Sequence, residues 1–500
     1  MRVIIACLAL VAIFLSIWRL ESDRAGLTIA PLVIKGGTPA TLYLRQGSDV
    51  APVVVIAHGF AGSRQLMEPF ALTLALAGYV VASFDFEGHG RNRRPMSGDM
   101  GSAEGTTRLL MEETGRVARA ALAHPRADGR LAYLGHSMAS DVVVRQAQGD
   151  TQAQAVVAVS MFSGSVTSEA PRNLLVIAGA WETRLAEEAV RALRQIDPDA
   201  EAGDTVRDPE SGIARRAVIA PRVEHVGVLY STTSLNAARD WLDEVFERQS
   251  DVPVTGRGGW IVLLLISVVA LGWPFARLLP VVLPVDGEPL ETRRFLLAAL
   301  LPAVLVPLAL WPLEVRFLPV LVADYLALHL GLYGLLTLAL LARWGALRGA
   351  FPSRVWWIAG AVAIFGIAVV GGVIDRYVAS FLPHPGRLAV IAGLAMGGVP
   401  FMLGDAMLTG GGTGRLWRVL VARGAFLASL GVAVALNLEA LFFLVIILPV
   451  ILLFFLLFGM MAGWVGRRTG VPAAAGLGLG LVLAWALGVT FPMFDAALAG

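Results

Sequence analysis

Five hundred residues with 56% hydrophobic and only 16% charged side chains are too apolar for a water-soluble protein, whose charged share is about a quarter. A net charge of +2, from 40 Lys and Arg against 38 Asp and Glu, excludes the dense basic surface of a nucleic-acid binder. One cysteine, Cys7, excludes a disulfide framework and a cysteine-based zinc site, and the sequence shows no cofactor or metal motif.

The charge deficit is uneven. Residues 19–257 carry Arg, Asp and Glu at ordinary density, whereas 258–500 are long apolar runs broken by short Arg-bearing loops. The expected organisation is an N-terminal membrane anchor (1–24), a soluble domain (25–250) and a membrane domain (251–500). The first run, "VIIACLALVAIFLSIW" (3–18), is long enough to cross a bilayer with Trp18 and Arg19 at the interface. A cleaved signal peptide is the competing reading. The stretch after it, "RLESDRAG", has only Ala25-Gly26 as a small-residue pair, which favours an uncleaved anchor. Cys7 lies inside this run and reads as a membrane-buried bystander.

Between 27 and 248, apolar β-branched runs alternate with amphipathic, Ala-rich stretches. Strands are predicted at 52–59, 79–86, 130–137, 155–162, 173–179 and 216–221. Helices are predicted near 64–77, 104–123, 138–148, 183–196 and 233–248. Alternation of this kind implies a mostly parallel sheet with helices on both faces, and ligands bind beyond the carboxyl ends of such strands.

From residue 260 about eight apolar segments reach the roughly 20 residues a spanning helix needs. They lie near 260–282, 295–313, 318–341, 355–374, 388–408, 418–437, 440–464 and 472–493. With the N-terminus in the cytoplasm, one set of loops receives Arg277, Arg293, Arg294, Arg343, Arg348, Arg354, Arg415, Arg418, Arg423, Arg467 and Arg468. The opposite short loops receive only Arg316, Arg376 and Arg387. That asymmetry puts residues 19–257 outside the cytoplasmic membrane. Asp324, His329, Asp375, Arg376, Asp405 and Glu439 fall in or near spans. Most lie within two turns of a span end, where interfacial or helix–helix pairing accounts for them.

Chemistry concentrates at "LAYLGHSMAS" (131–140). In a chain this rich in Gly and Ala, a Gly-x-Ser-x-small match arises by chance on the order of once. Its context gives it weight, because the predicted strand runs into a sharp turn at Ser137 and a helix begins at Met138. A helix N-terminus beside the hydroxyl also favours developing negative charge. Upstream, "IAHGFAGSR" (56–64) and "FDFEGHGRN" (84–92) each end a strand in a Gly-rich turn.

With these three motifs in this order, residues 40–248 resemble the α/β-hydrolase superfamily, esterase- and lipase-like serine hydrolases included. Ala139 replaces the usual last glycine of the elbow. The resemblance implies a nucleophile, Ser137, followed by an acid and then a histidine. His225, in "APRVEHVGVLY", follows the last predicted strand and is the expected base. His58 and His89 sit in the two Gly-rich turns, His136 is expected to point away from the elbow, and His329 and His384 belong to the membrane half. Glu182, three residues past Gly179, is the expected acid where the family usually has Asp. Asp204 and Asp208 are alternatives, and a surface helix-starting glutamate is the plain reading of Glu182. By analogy with the family, the oxyanion donors are the backbone amides of Phe60 and Met138, each such donor being worth about 3 kcal/mol. Asp85 is expected to order its own turn.

The connection 163–172 is too short to form a cap. The expected activity is hydrolysis of carboxylic esters, lipid esters among them, with a small molecule or lipid as substrate and the bilayer as partner; protein partners are unknown. An acyltransferase or peptidase on the same fold stays open, as does a non-catalytic membrane transport or assembly protein with a hydrolase-like binding domain. Helix ends around 314–325 are expected to complete the substrate pocket.

Overall fold

The computed structural model describes residues 2–99, 103–208, 212–284, 290–313, 315–412 and 414–495. They form two compact units, each described here by itself. One comprises 15–263 together with 375–380 and 492–495, and the other comprises 2–14, 264–374 and 381–491.

The first unit is built on one sheet. Its strands are β1 (Leu27–Leu32), β2 (Ala40–Arg45), β3 (Ala51–Ala57), β4 (Val80–Phe84), β5 (Ala127–His136), β6 (Ala153–Val159), β7 (Asn173–Gly179), β8 (Thr205–Asp208) and β9 (Ile213–Ala220). Their order is β1-β2-β4-β3-β5-β6-β7-β9-β8. From β4 through β9 every pairing is parallel, and β1, β2 and β8 join antiparallel. The six strands predicted from β-branched runs are the parallel core. Of the three added ones, β1 and β8 are the edge strands and β2 lies between β1 and β4; each breaks its apolar residues with Thr and includes exposed positions, which is why an apolar-run criterion passes over them. β3 and β4 are buried at every residue, as strands covered on both faces must be.

Connecting helices supply that cover. They are α2 (Glu68–Leu76), α3 (Arg108–Leu122), α4 (Met138–Gly149), α5 (Thr183–Arg194) and α6 (Thr232–Val245), with α1 (Arg2–Ser22) preceding the sheet. Trp241 of α6, Phe70 of α2 and the inward residues Val54, Ile56, Leu134, Val157 and Ile177 share one apolar cluster. Where the chain enters and leaves this unit, Arg24 pairs with Glu68 at 2.7 Å and Arg257 with Asp23 at 3.0 Å. All four charges are largely buried, so losing one partner would strand the other away from water.

The second unit is helical. Among the described residues the chain has nine helices long and apolar enough to cross a membrane: Val3–Ser22, Gly258–Ala276, Thr292–Leu310, Ala323–Arg343, Val355–Tyr377, Arg387–Leu408, Leu416–Leu436, Phe443–Thr469 and Pro472–Thr490. They fall on the nine apolar runs read from the sequence, within a few residues at each end. The prolines at 302, 307 and 400 sit inside these helices, as membrane helices tolerate. Of the region expected to complete the pocket, Glu314 lies outside the described residues and 315–325 belong to the helical unit. Residues 375–380 and 492–495 belong to the sheet-bearing unit.

Candidate active site

Six parallel strands end at one edge of the sheet, and each is followed by a turn carrying a polar or glycine residue of interest. β5 ends at His136, and Ser137 then takes φ 54°, ψ −120° before α4 starts at Met138. A left-handed conformation at a non-glycine residue costs on the order of 1–3 kcal/mol and persists only where the surroundings enforce it. Here the Ser137 amide donates to the Val159 carbonyl at 2.9 Å, and its own carbonyl accepts from the Ser140 amide at 2.8 Å and the Ser140 hydroxyl at 2.5 Å. The turn throws the Ser137 hydroxyl off the end of the sheet.

There it meets His225, five residues past β9, with Oγ to Nε2 at 2.9 Å. The other ring nitrogen, Nδ1, lies 2.6 Å from Oε1 of Glu182. The structure therefore brings together Ser137, His225 and Glu182 as the sequence reading expected. Asp204 instead accepts from the Glu201 backbone amide, and Asp208 ends the edge strand β8.

Glu182 is longer than the usual aspartate by one methylene, and two neighbours accommodate it. Its Oε2 accepts from the Gly179 amide at 2.7 Å and from the Ser160 hydroxyl at 2.9 Å. Gly179 leaves the room, since a Cβ there would lie 2.5 Å from the Val223 carbonyl oxygen and 3.0 Å from Oε2 itself. Burial pushes the Glu182 carboxyl up, but the hydrogen bonds to His225, Gly179 and Ser160 outweigh it and hold the group below its ordinary value. Ser160, at φ 51° just past β6, is a site residue that sequence reasoning missed. A serine directly after a buried strand was its only signal.

The turn after β3 lies against Ser137: a Cβ on Gly59 would sit 2.9 Å from Ser137 Cβ, so only glycine allows the approach. His58 holds this turn. Its Nε2 accepts the Phe86 amide at 3.1 Å, so Nδ1 carries the proton and donates to the Gly59 carbonyl at 2.8 Å. Burial lowers its pKa, which keeps the ring neutral. Phe60 and Met138, the expected oxyanion donors, are the residues that follow Gly59 in this turn and Ser137 in the elbow. Met138 is the first residue of α4, where amides have no acceptor within the helix. Asp85 orders its own turn, accepting from the Arg91 amide at 3.1 Å, and also takes the Arg64 amide at 2.8 Å.

His136 departs from expectation. It does not point away from the site, but is buried with its ring centroid 4.8 Å from that of His225 and its Nε2 2.9 Å from the His225 carbonyl. Burial and the neighbouring His225 push its pKa down to about 3, so it stays neutral beside the His225 ring. Among the described residues no group of three or more His, Cys, Asp or Glu is arranged to hold a metal ion.

Residues 48–214 match the family described as Serine aminopeptidase, S33; the match takes in Ser137 and Glu182 and ends before His225. No match is found among the curated proteins. Solved structures similar to this chain include a dienelactone hydrolase from Anabaena variabilis (18% identity, 44% of this chain and 96% of that one, TM-score 0.33). A soluble variant of monoglyceride lipase from Saccharomyces cerevisiae is also similar (12% identity, 44% and 96%, TM-score 0.33). So is an esterase from Pyrobaculum calidifontis (14% identity, 48% and 94%, TM-score 0.33). The mostly parallel sheet, the strained serine turn and the family match over 48–214 give the sheet-bearing unit an α/β-hydrolase fold of the serine-hydrolase type, on a chain with nine helices of membrane-spanning character among its described residues.

Proposed function

We propose that this protein is a membrane-bound serine hydrolase that cleaves carboxylic esters through an acyl-enzyme. The observation that carries the reading is the relay from Ser137 Oγ to His225 Nε2 and from His225 Nδ1 to Glu182, at 2.9 and 2.6 Å. Ser137 Oγ attacks the ester carbonyl carbon as His225 Nε2 takes its proton. The resulting oxyanion is held by the amides of Phe60 and Met138. Collapse breaks the bond to the alcohol, which leaves with the proton from His225. Water then repeats the sequence on the acyl-enzyme and releases the acid. Glu182 fixes the tautomer of His225 and offsets the imidazolium charge.

Large apolar side chains stand exposed on the same turns. Phe162 follows β6, Trp181 precedes Glu182 and Val226 follows His225; they are 76%, 68% and 46% exposed. Their backbones are tied to the site, Phe162 through its amide to the Ser140 hydroxyl at 3.3 Å and Trp181 through its amide to the Val223 carbonyl at 3.1 Å. Exposed apolar side chains on these turns suit the acyl or alkyl chain of a lipid ester. The family description favours one second reading, amide hydrolysis by the same atoms. The deciding experiment is labelling of the full-length protein with a fluorophosphonate, repeated on Ser137→Ala, followed by turnover of ester and aminoacyl-amide substrates. Ester turnover that depends on Ser137 supports the proposal. Absence of labelling in the wild type overturns it and favours a binding role for the domain.

The arginine asymmetry of the loops supports a hydrolase domain outside the cytoplasmic membrane. A reporter that fluoresces only in the cytoplasm should be dark when fused after residue 248 and bright when fused near 346. Fluorescence at 248 would place the chemistry in the cytosol.

A further inference from the structure

The turn expected to supply the Phe60 amide is strained. Ala61 takes φ 56°, an unfavourable conformation for any residue with a Cβ. Such a turn keeps its shape only if its neighbours fix it, and part of that support comes from residues 375–380. This segment lies far along the sequence, after the apolar helix Val355–Tyr377 has run almost its full length, yet belongs to the same compact unit as the sheet. The Ser380 amide donates to the Ser63 hydroxyl at 3.1 Å, and both residues are buried. Five residues earlier, Asp375 Oδ2 pairs with Arg91 Nη2 at 2.7 Å. The amides of Arg91 and Arg64 both donate to Asp85. A closed ring results: Asp375 holds the 85–94 turn, Ser380 holds the 58–64 turn, and Asp85 joins the two turns between them. Glu21 fixes the middle of the segment, 2.6 Å from Arg376 and 2.8 Å from the Tyr377 hydroxyl.

We propose that residues 375–380 are a positioning element for the oxyanion turn, with Ser63 and Asp375 as the residues through which it acts. The inference rests on the reading of Ser137 as nucleophile and of the Phe60 amide as an oxyanion donor. It assigns a role in the reaction to a part of the chain outside the matched hydrolase region. Loosening the turn should cost stabilisation only where an oxyanion forms, leaving ground-state substrate binding intact.

The test uses the full-length protein in detergent micelles and a trifluoromethyl ketone. Ser137 Oγ adds to the carbonyl carbon of this probe as its proton goes to His225 Nε2, and the carbonyl oxygen becomes an oxyanion in the hole. Ser63→Ala is expected to lower kcat on a short ester and affinity for the ketone by the same factor, about 10-fold, with KM unchanged. Asp375→Ala, which removes a half-exposed ion pair, is expected to lower both by about 2- to 5-fold. The exchange Arg91→Asp with Asp375→Arg should recover most of that loss, and Ser63→Thr, which keeps the hydroxyl, should act like the wild type. If Ser63→Ala does not fold, Asp375→Asn gives the same readout without loss of volume. Variants that lose thermal stability while kcat per labelled active site and ketone affinity stay at wild-type values overturn the proposal. A wild-type protein that does not label at Ser137 overturns the underlying reading instead.

Discussion

Each unit of this molecule contains a serine–histidine hydrogen bond. In the sheet-bearing unit Ser137 meets His225 at 2.9 Å, and in the helical unit Ser429 meets His329 at 3.0 Å. What differs is everything around the pair. Ser137 sits at φ 54° at the start of a helix, its histidine is half exposed, and the second ring nitrogen lies 2.6 Å from a carboxylate. Ser429 lies inside the helix Leu416–Leu436, both partners are buried, and the second nitrogen of His329 has a phenol, Tyr325, at 3.4 Å. Aromatic rings of Tyr333 and Phe426 close the surroundings of His329. A serine–histidine contact becomes a candidate nucleophile only with a carboxylate to hold the imidazolium, a turn that exposes the hydroxyl, and a path for substrate.

The largest expected effect breaks this comparison at its centre. Ser137→Ala and His225→Ala should each lower ester turnover by roughly 10⁴- to 10⁶-fold, and the double variant should be little worse, because members of such a relay act as a unit. Ser429→Ala and His329→Ala should leave the rate of fluorophosphonate labelling within about two-fold of wild type. Labelling that survives Ser137→Ala and disappears in Ser429→Ala would reverse the assignment of the two pairs.

Glu182→Gln comes next. The amide keeps the size of the side chain but cannot neutralise the imidazolium, and it also presents a donor to a nitrogen that must itself donate. A loss of about 10²- to 10⁴-fold in kcat is expected, with KM little changed. Alanine at Asp204 or Asp208 should have no such effect. Wild-type turnover in Glu182→Gln combined with loss in either aspartate variant would move the acid to the 204–208 segment.

Much of the site was legible because it is local. The strand–turn–helix around Ser137 is written in consecutive residues, and the order serine, acid, histidine follows the order of the strands. The parallel strands carry apolar runs and were found, whereas β1, β2 and β8 break their apolar residues with Thr, include exposed positions and were not. The inward turn of His136 has no signature of its own, since nothing beside it in sequence reveals that the His225 carbonyl, 89 residues on, will be its partner. Recruitment of 375–380 is illegible for the same reason. Arg91 and Asp375 are 284 residues apart, and no periodicity links them.

The exposed aromatics give a smaller effect that sharpens the substrate class. Phe162→Ala and Trp181→Ala should each lower kcat/KM for a long-chain ester by about 10-fold, as expected for losing a large apolar contact with the chain. A two-carbon ester should be hydrolysed at nearly the wild-type rate. Equal losses on both substrates would mean that these side chains shape the site rather than hold the chain.

The smallest effect is on stability and isolates His136. Its pKa is pushed down to about 3, first by burial and then by His225, from the 6.5 of an exposed histidine. Between those values the unfolded chain binds a proton that the folded protein refuses, so stability is fully present above pH 6.5 and declines as pH falls toward 3. At pH 5 the loss from this one group is up to about 2 kcal/mol. His58, also lowered by burial, contributes with the same sign below pH 6.5. Glu113, pushed up to about 7 by burial, has the opposite sign, its contribution being lost as pH rises through 7. Glu182 acts only at lower pH, because its carboxyl is held below 4.5. The wild-type profile therefore mixes several groups, and the informative quantity is the difference from His136→Gln, in which the other three are retained. The glutamine amide can still donate to the His225 carbonyl, but it does not titrate. Melting temperatures measured from pH 7 to pH 5 should fall more steeply for the wild type than for the variant. Parallel curves would mean that His136 titrates as an ordinary histidine, with its ring in contact with water rather than packed against His225.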